Sequence, residues 1–299
     1  MATLPSVFHA IRSQETAFTF EIVAIDSGST DGTLEFLQRH ADRTLTISPD
    51  RFDHGLTRNA AMAEARGEHV VLLVQDALPV GSAWLSTLVA PLLRDLHLAG
   101  TFGRQQPRPD ATAATRRQLA NWVAGTGTRR TVTLTRDEFD ALPPLARFER
   151  CAFDHVCAAV RRAVWLRHPY RATPIGEDVE WAREVLLAGH RLAYVPEAVV
   201  VHSHDRGVRY EYARTYLLHH RLHALFGVRT IPTRRALARA LAGTVATHLA
   251  ARRGSDAPLD AGLVGVARAI ALGVALPLAQ FRAGATAARG RAVGRIEGV

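Results

Sequence analysis

The 299-residue sequence contains no lysine: all 37 of its basic residues are arginine. That absence excludes every chemistry needing a side-chain amine. The G-x-x-x-x-G-K-[ST] phosphate loop, the strand lysine of protein kinases, Schiff-base catalysis and S-x-x-K nucleophile sites all fall away. Cysteine is scarce as well. Cys151 and Cys157 are too few for a disulfide framework and wrongly spaced for a CxxC redox or zinc motif, so both are expected to be small apolar core residues. The first thirty residues lack a charged segment followed by an apolar one, which points to the cytoplasm. No internal repeat or low-complexity tract occurs, and 47% hydrophobic against 22% charged residues excludes disorder and collagen.

What charge there is sits unevenly. Residues 1–205 hold 22 Arg against 24 acids, whereas 206–299 hold 15 Arg against 4, so the net +9 belongs to the last third. A basic segment suits nucleic acid or anionic lipid. After Tyr216 the only aromatics are Phe226 and Phe281, which is poor for stacking on bases, so no nucleic-acid partner is expected. Gly262–Phe281 is apolar apart from Arg268, Pro277 and Gln280. It has the ~20 residues needed to cross a hydrocarbon core, but a central Arg costs about 2.5–3.5 kcal/mol on the insertion scale. The stretch is therefore expected to lie on an anionic membrane surface, flanked by nine arginines between Arg234 and Arg295. The competing expectation is that these helices pack on the rest of the chain and present Arg to solvent.

The order of elements indicates an α/β fold. Phe20–Ile25 reads as a strand, followed by the turn DSGSTDGT and a helical pattern at Leu34, Leu37 and Gln38. Thr44–Ile47 (strand), Arg58–Ala65 (helix), Val70–Val74 (buried strand), Ala83–Leu93 (helix) and Leu98–Phe102 (strand) continue the alternation. Such alternation predicts a parallel sheet wrapped by helices. Gly103–Gly127 is polar and aperiodic, and is expected to be a functional loop region with a helix inside. Cys157–Val160 reads as a strand, Glu177–Leu187 as a helix, and Leu192–Val195 and Ala198–Val201 as two short strands about a turn at Pro196. Beyond His204, Tyr210–Phe226, Arg234–Ala251 and Gly262–Phe281 read as three helices. The chain thus divides into an α/β part, 1–205, and a basic helical part, 206–299.

Several polar residues stand where such a sheet places its ligands, beyond the carboxyl ends of strands. Asp26 ends the first predicted strand, in a turn of small residues where Thr30 or Asp31 can cap the next helix. Asp76 follows VVLLVQ and would emerge at the same edge. Two carboxylates there suit a hard divalent cation that shares substrate phosphates, although an Asp before Ala-Leu-Pro also suits a plain turn. Glu177 and Asp178 open a helix, where acids favour the dipole, and either could also serve as a general base. His202 and His204 end another strand on one side, and the end of the strand between them suggests that only one reaches a metal. His219 and His223 lie one helical turn apart without the Glu of H-E-x-x-H, so a solvated face is expected for them.

Taken together, IDSGSTDGT, FDHGLTRN (Phe52–Asn59), LLVQDALP (Leu72–Pro79), GEDVEWAREVLLAGHRLAYVPEA (Gly176–Ala198) and VVHSH resemble a family 2 glycosyltransferase over roughly residues 4–226. QDA in place of the commoner DxD, and GRQQPRPDA (Gly103–Ala111), are most similar to bacterial rhamnosyltransferases. The resemblance implies a GT-A fold, with a mostly parallel sheet flanked by helices, a sugar-nucleotide donor and Mg²⁺ or Mn²⁺. By position it implies that Asp26 contacts the base or ribose, with Ser27 beside it where many members carry a second acid. Arg58 would stand near the diphosphate, Asp76 would hold the metal, His202 the metal or diphosphate, and Asp178 would be the catalytic base. QDA supplies one carboxylate where DxD supplies two.

The family opens with a V-S-V-V-I-P-T-Y-N strand at the centre of its sheet, whereas this sequence begins at what resembles the following helix, Pro5–Gln14. A missing middle strand would leave two unpaired edges. Either the start codon was assigned too late or the protein has degenerated, and the intact downstream motifs favour the first. The expected activity is transfer, with inversion, of a deoxyhexose, L-rhamnose from its dTDP form, to a hydroxyl of a cell-surface glycan or its lipid-linked precursor. The alternative is an inactive sugar-nucleotide-binding sensor or scaffold.

Overall fold

The computed structural model describes residues 1–253, 255–291 and 293. Helix α1 (Leu4–Arg12) leads into strand β1 (Val23–Asp26), α2 (Thr33–His40) and β2 (Arg43–Thr46), which lies parallel to β1. Next come α3 (His54–Glu64), β3 (His69–Leu73), the two-residue β4 (Leu78–Pro79), α4 (Trp84–Arg94) and β5 (Leu98–Gln106). The stretch to β7 (Cys157–Arg161) holds α5 (Ala113–Ala120), β6 (Arg130–Val132), α6 (Arg136–Ala141) and α7 (Pro144–Arg150). After α8 (Arg162–Trp165), α9 (Glu177–Leu187) and β8 (Arg191–Val201), three long helices follow: α10 (Val208–Phe226), α11 (Arg234–Arg252) and α12 (Gly262–Ala287).

The larger sheet runs β3-β7-β5-β8-β4, with β6 also paired to β8. Parallel order holds for β1–β2 and β5–β8, but β3–β7, β7–β5, β4–β8 and β6–β8 are antiparallel, so the sheet is mixed rather than mostly parallel. A continuous apolar run such as VVLL or CAAV reports burial on both faces and says nothing of direction. The expected pair of strands about Pro196 is one strand. β8 pairs with β5 at Val195↔Gly103 and again at Val199↔Arg104, leaving Pro196–Ala198 looped out, because proline has no N–H to give a ladder. Gly103 permits the close approach there, since a Cβ would lie 2.4 Å from the Ala198 carbonyl oxygen.

One core lies on the α9 side of the sheet, where Val179, Trp181, Ala182, Val185 and Leu186 form the helix's buried stripe against Phe102, Phe153 and Tyr194. The Phe102–Phe153 and Phe153–Trp181 ring centroids are 5.2 and 5.5 Å apart. On the opposite face α4 buries Trp84, Leu85, Leu88 and Leu92 against Val195 and Val200. Leu222, Leu225 and Phe226 of α10 belong to the α9-side core. Both cysteines are buried and unpaired, with burial pushing each thiol up to about 12.

Among the described residues, β1 pairs with β2 alone and β3 with β7 alone, so the sheet is divided. Residues of β1 and of β3 line the same cavity. Every residue of β3 is only half-buried although four of its five are apolar. An apolar strand in the middle of a sheet would be buried on both faces.

Candidate active site

A cavity of about 1640 Å³ runs along the divided sheet. Asp26, Ser27, Arg58, Asp76, Asp178 and His202 all line it, so residues spread over 177 positions of sequence converge on one space.

At one wall, Asp26 closes β1 and is itself buried. Its Oδ2 accepts the backbone N–H of Gly28 at 2.9 Å and of Ser29 at 3.0 Å. Burial acts to raise its pKa, but the hydrogen bonds from Ser29 and Gly28 outweigh it and hold the carboxyl below its ordinary value. Gly28 sits at φ +89°, in the left-handed region that a side chain would strain. Of the two residues expected to cap the next helix, Asp31 does reach its first N–H: Oδ1 accepts the Thr33 backbone N–H at 3.3 Å. Gly32 occupies the N-cap position of α2, and Asp31 Oδ1 also accepts from the Thr33 hydroxyl at 2.7 Å.

Three candidate metal ligands meet where β4 pairs with the end of β8. The Leu78↔Val201 register carries Asp76, in the turn before β4, to His202 and His204. His202 Nε2 lies 3.6 Å from Asp76 Oδ1, and His204 Nε2 lies 3.2 Å from Asp76 Oδ2. The ligand atoms all fall within 4.8 Å of one another. Both imidazoles thus reach Asp76, where one was expected. The His202 N–H still donates to the Gln106 carbonyl at 2.9 Å, so the strand's alternation continues past Val201 and brings His204 round to the same side. Burial, with Asp76 opposing it, pushes the His202 pKa down to about 4, and burial lowers that of His204 too. Neutral imidazoles beside a carboxylate are the protonation states a divalent cation requires.

Arg108, not singled out from sequence, approaches Asp76 Oδ2 at 3.6 Å and donates to its backbone oxygen at 3.3 Å. It adds positive charge where an anionic ligand would lie. Among the described residues His219 and His223 join no ligand cluster. Nor is His219 on a solvated face: it is half-buried, its Nδ1 lies 3.0 Å from the Thr230 hydroxyl, and burial pushes its pKa down to about 4.

The first turn of α9 also lines the cavity. Glu177 is buried and pairs with Arg58 at 2.9 Å and with His155 Nδ1 at 3.4 Å. Burial opposes its ionisation, but the Arg58 guanidinium and His155 outweigh this and hold Glu177 well below the usual carboxylate range. His155 is kept neutral, its pKa pushed down to about 4 by burial, and its Nε2 lies 2.9 Å from the Tyr170 hydroxyl. Asp178, next in sequence, is half-buried and open to the cavity. Burial first, then the charges of Glu177 and Asp154, push its carboxyl well above its ordinary value. The two adjacent carboxyls are thereby shifted in opposite directions.

Because Glu177 is the buried partner of Arg58, Glu177→Gln is expected to destabilise the fold by roughly 3 kcal/mol, the lower end of the scale for breaking a buried pair. Its pKa is depressed on folding, so its contribution is present above the unfolded value near 4.5 and lost as pH falls towards the folded value. Urea unfolding at pH 7 and pH 4 checks this: the gap between wild type and variant should narrow at the lower pH.

A family model described as glycosyl transferase family 2 matches residues 2–163, just over half of the chain. The O-antigen chain rhamnosyltransferase WbaN of Salmonella anatum is 33% identical over 212 residues, covering 70% of this chain and 64% of that protein. RfbN of Salmonella typhimurium, of the same description, is 31% identical over 217 residues, covering 71% and 66%. The chain therefore spans about two thirds of the length of these relatives. Among solved structures, the mannosyltransferase PcManGT of Pyrobaculum calidifontis, in complex with GDP-Man and Mn²⁺, aligns with a TM-score of 0.53 at 18% identity over 97% of this chain and 71% of its own. Glucosyl-3-phosphoglycerate synthase of Mycobacterium tuberculosis, in complex with Mn²⁺, UDP and glucosyl-3-phosphoglycerate, aligns with a TM-score of 0.53 at 20% identity over 76% of each chain. At such identities the likeness establishes the GT-A fold.

Proposed function

The chain belongs to glycosyl transferase family 2, and from that premise we propose that it moves a sugar from a nucleotide diphosphate donor to a glycan hydroxyl with inversion. The observation that carries this reading is the single cavity in which a carboxyl of raised pKa, a three-ligand cluster and Arg58 face common space, with Arg108 held against Asp76.

Asp178 takes the proton of the acceptor hydroxyl as that oxygen attacks the anomeric carbon. The bond from that carbon to the diphosphate oxygen breaks on the opposite face, and the diphosphate leaves with the electron pair. Asp26 binds the base or ribose through Oδ1, since Oδ2 is engaged in its own turn, and Ser27 stands beside it. Arg58 and Arg108 face the diphosphate. Asp76, His202 and His204 would hold a divalent cation, Mn²⁺ in preference to Mg²⁺ because two of the three donors are imidazoles. Such an ion supplies charge that stabilises the departing diphosphate. The names of WbaN and RfbN support rhamnose as the sugar and an O-antigen-type glycan as the acceptor.

A binding module without turnover is the second reading. It is favoured by the divided sheet and by the commitment of Asp26 Oδ2 to its turn. Calorimetry and a donor-consumption assay on one preparation separate the two: binding of dTDP-L-rhamnose followed by release of dTDP supports the enzyme, and binding alone supports the module.

We also propose that the C-terminal helices work at a membrane surface. α12 is long and apolar enough to cross a membrane, yet Gly265, Ala269, Leu272 and Gly273 of it are buried in the protein. Arg268 turns inward, 3.8 Å from Asp205, while Leu263 and Val264 are 86% and 72% exposed. Arg234, Arg235, Arg239, Arg282, Arg289 and Arg291 are exposed, and Arg295 lies outside the described residues. Each arginine near an anionic leaflet contributes about 1 kcal/mol. The protein is expected to sediment with phosphatidylserine-containing vesicles at low salt and to be released as salt screens the charges. Sedimentation no greater than with neutral vesicles at low salt leaves these helices as packing elements that present Arg to solvent.

A further inference from the structure

His202 approaches Asp76 with a ring that is held from behind. Its Nδ1 lies 2.9 Å from Gln105 Oε1, while Nε2 is the atom turned to Asp76. Gln105, at the end of β5, is buried, and its Nε2 donates to Asp154 Oδ2 at 2.7 Å. The same Oδ2 accepts from Trp122 Nε1–H at 2.6 Å, and Oδ1 accepts from the Val156 backbone N–H at 2.9 Å.

An ionised Asp154 carboxylate can only accept, from the indole N–H, the backbone N–H and an N–H of Gln105 alike. That fixes the amide of Gln105. Its NH₂ faces Asp154, and its carbonyl therefore faces His202. Since a carbonyl can only accept, His202 Nδ1 must carry the hydrogen and Nε2 the lone pair. The other tautomer would place an N–H where a metal ion would bind.

We propose that Asp154 and Gln105 are positioning residues that preset His202 in its Nδ1–H tautomer, so that a divalent cation beside Asp76 meets a ready lone pair. The inference rests on the metal-site reading above and extends it to residues that do not reach the metal. The chain of contacts joins the segment after α5, the end of β5 and the loop before β7 to the ligand cluster, three stretches with no sequence proximity to the histidines. Outer-shell partners that orient a ligating histidine commonly change metal affinity by about 10–100-fold when removed.

The test uses ¹⁵N-histidine-labelled full-length protein, with the His202 signals assigned by difference from His202→Ala. Two-bond ¹H–¹⁵N spectra without metal are expected to show wild-type His202 as the Nδ1–H tautomer, and this should be lost in Gln105→Leu. Calorimetric titration with Mn²⁺ is expected to show about 10–100-fold weaker binding for Gln105→Leu and Asp154→Asn. In Asp154→Asn the new amide can turn that of Gln105 over, offering an N–H to His202 Nδ1. Should Asp154→Asn fail to fold, the wild-type spectrum and Gln105→Leu still decide. An Nε2–H tautomer in the wild type overturns the inference, as does unchanged Mn²⁺ affinity in Gln105→Leu when His202→Ala is weakened. If His202→Ala binds Mn²⁺ as tightly as wild type, the metal-site reading fails. The spectrum then decides alone: Nδ1–H upholds the preset tautomer and Nε2–H overturns it.

Discussion

Asp178→Asn is expected to lower kcat by about 10²–10⁴-fold, the range of general acid–base contributions, while donor affinity stays close to that of the wild type. The isosteric amide keeps the first turn of α9 but cannot take a proton. Burial and the neighbouring charges of Glu177 and Asp154 raise the carboxyl's pKa, which brings the base nearer to neutral pH and strengthens it. The sign of the pH dependence follows. Only the ionised form accepts a proton, so turnover should fall as pH drops through a value well above an ordinary aspartate's 3.8. A profile of kcat against pH, with donor binding measured by calorimetry on the same variant, checks both parts. Near-normal turnover in Asp178→Asn removes Asp178 from the reaction.

Asp76→Asn is the second variant of large expected effect. Asp76 is the only anionic member of the ligand cluster, and it touches both imidazoles. Its loss should weaken Mn²⁺ binding by about 100-fold or more, at or beyond the upper end of what outer-shell changes produce. Chelator-treated wild type should lose activity and regain it with Mn²⁺ at lower concentration than with Mg²⁺, because two imidazoles favour the softer ion. Full activity of the chelated wild type, or unchanged Mn²⁺ affinity in Asp76→Asn, contradicts this part of the account.

The legible parts of the molecule were those with a strong local signal. α9 was delimited to the residue because Gly176 and Gly189 bracket a run with acids in its first turn and an apolar stripe behind them. β1, β3 and β5 were found within a few residues from their apolar runs. β6, α6 and α7 were missed because each is short and lacks a period, although the Thr135–Glu138 capping box that opens α6 could have been read. Strand direction was not legible, since apolar runs are blind to it. Asp26, Asp76 and His202 could be singled out because they end or follow strands, and Asp178 because it opens α9, whereas Ser27 and Arg58 were named from the family resemblance. His204, Arg108, Asp154 and Gln105 gained their places from the pairing of β4 with β8 and of β5 with β8, contacts between segments roughly a hundred residues apart.

Turnover in this one cavity separates an enzyme from a binding module. The most direct measurement follows dTDP release from dTDP-L-rhamnose with Mn²⁺ and a lipid-linked glycan acceptor, comparing wild type with Asp178→Asn on matched preparations and reading the product's anomeric configuration by NMR. The predicted result is wild-type release of dTDP with an inverted linkage, and a variant that binds the donor but is slowed by about 10²–10⁴-fold. Donor bound by the wild type and left intact, or a product of retained configuration, contradicts the account.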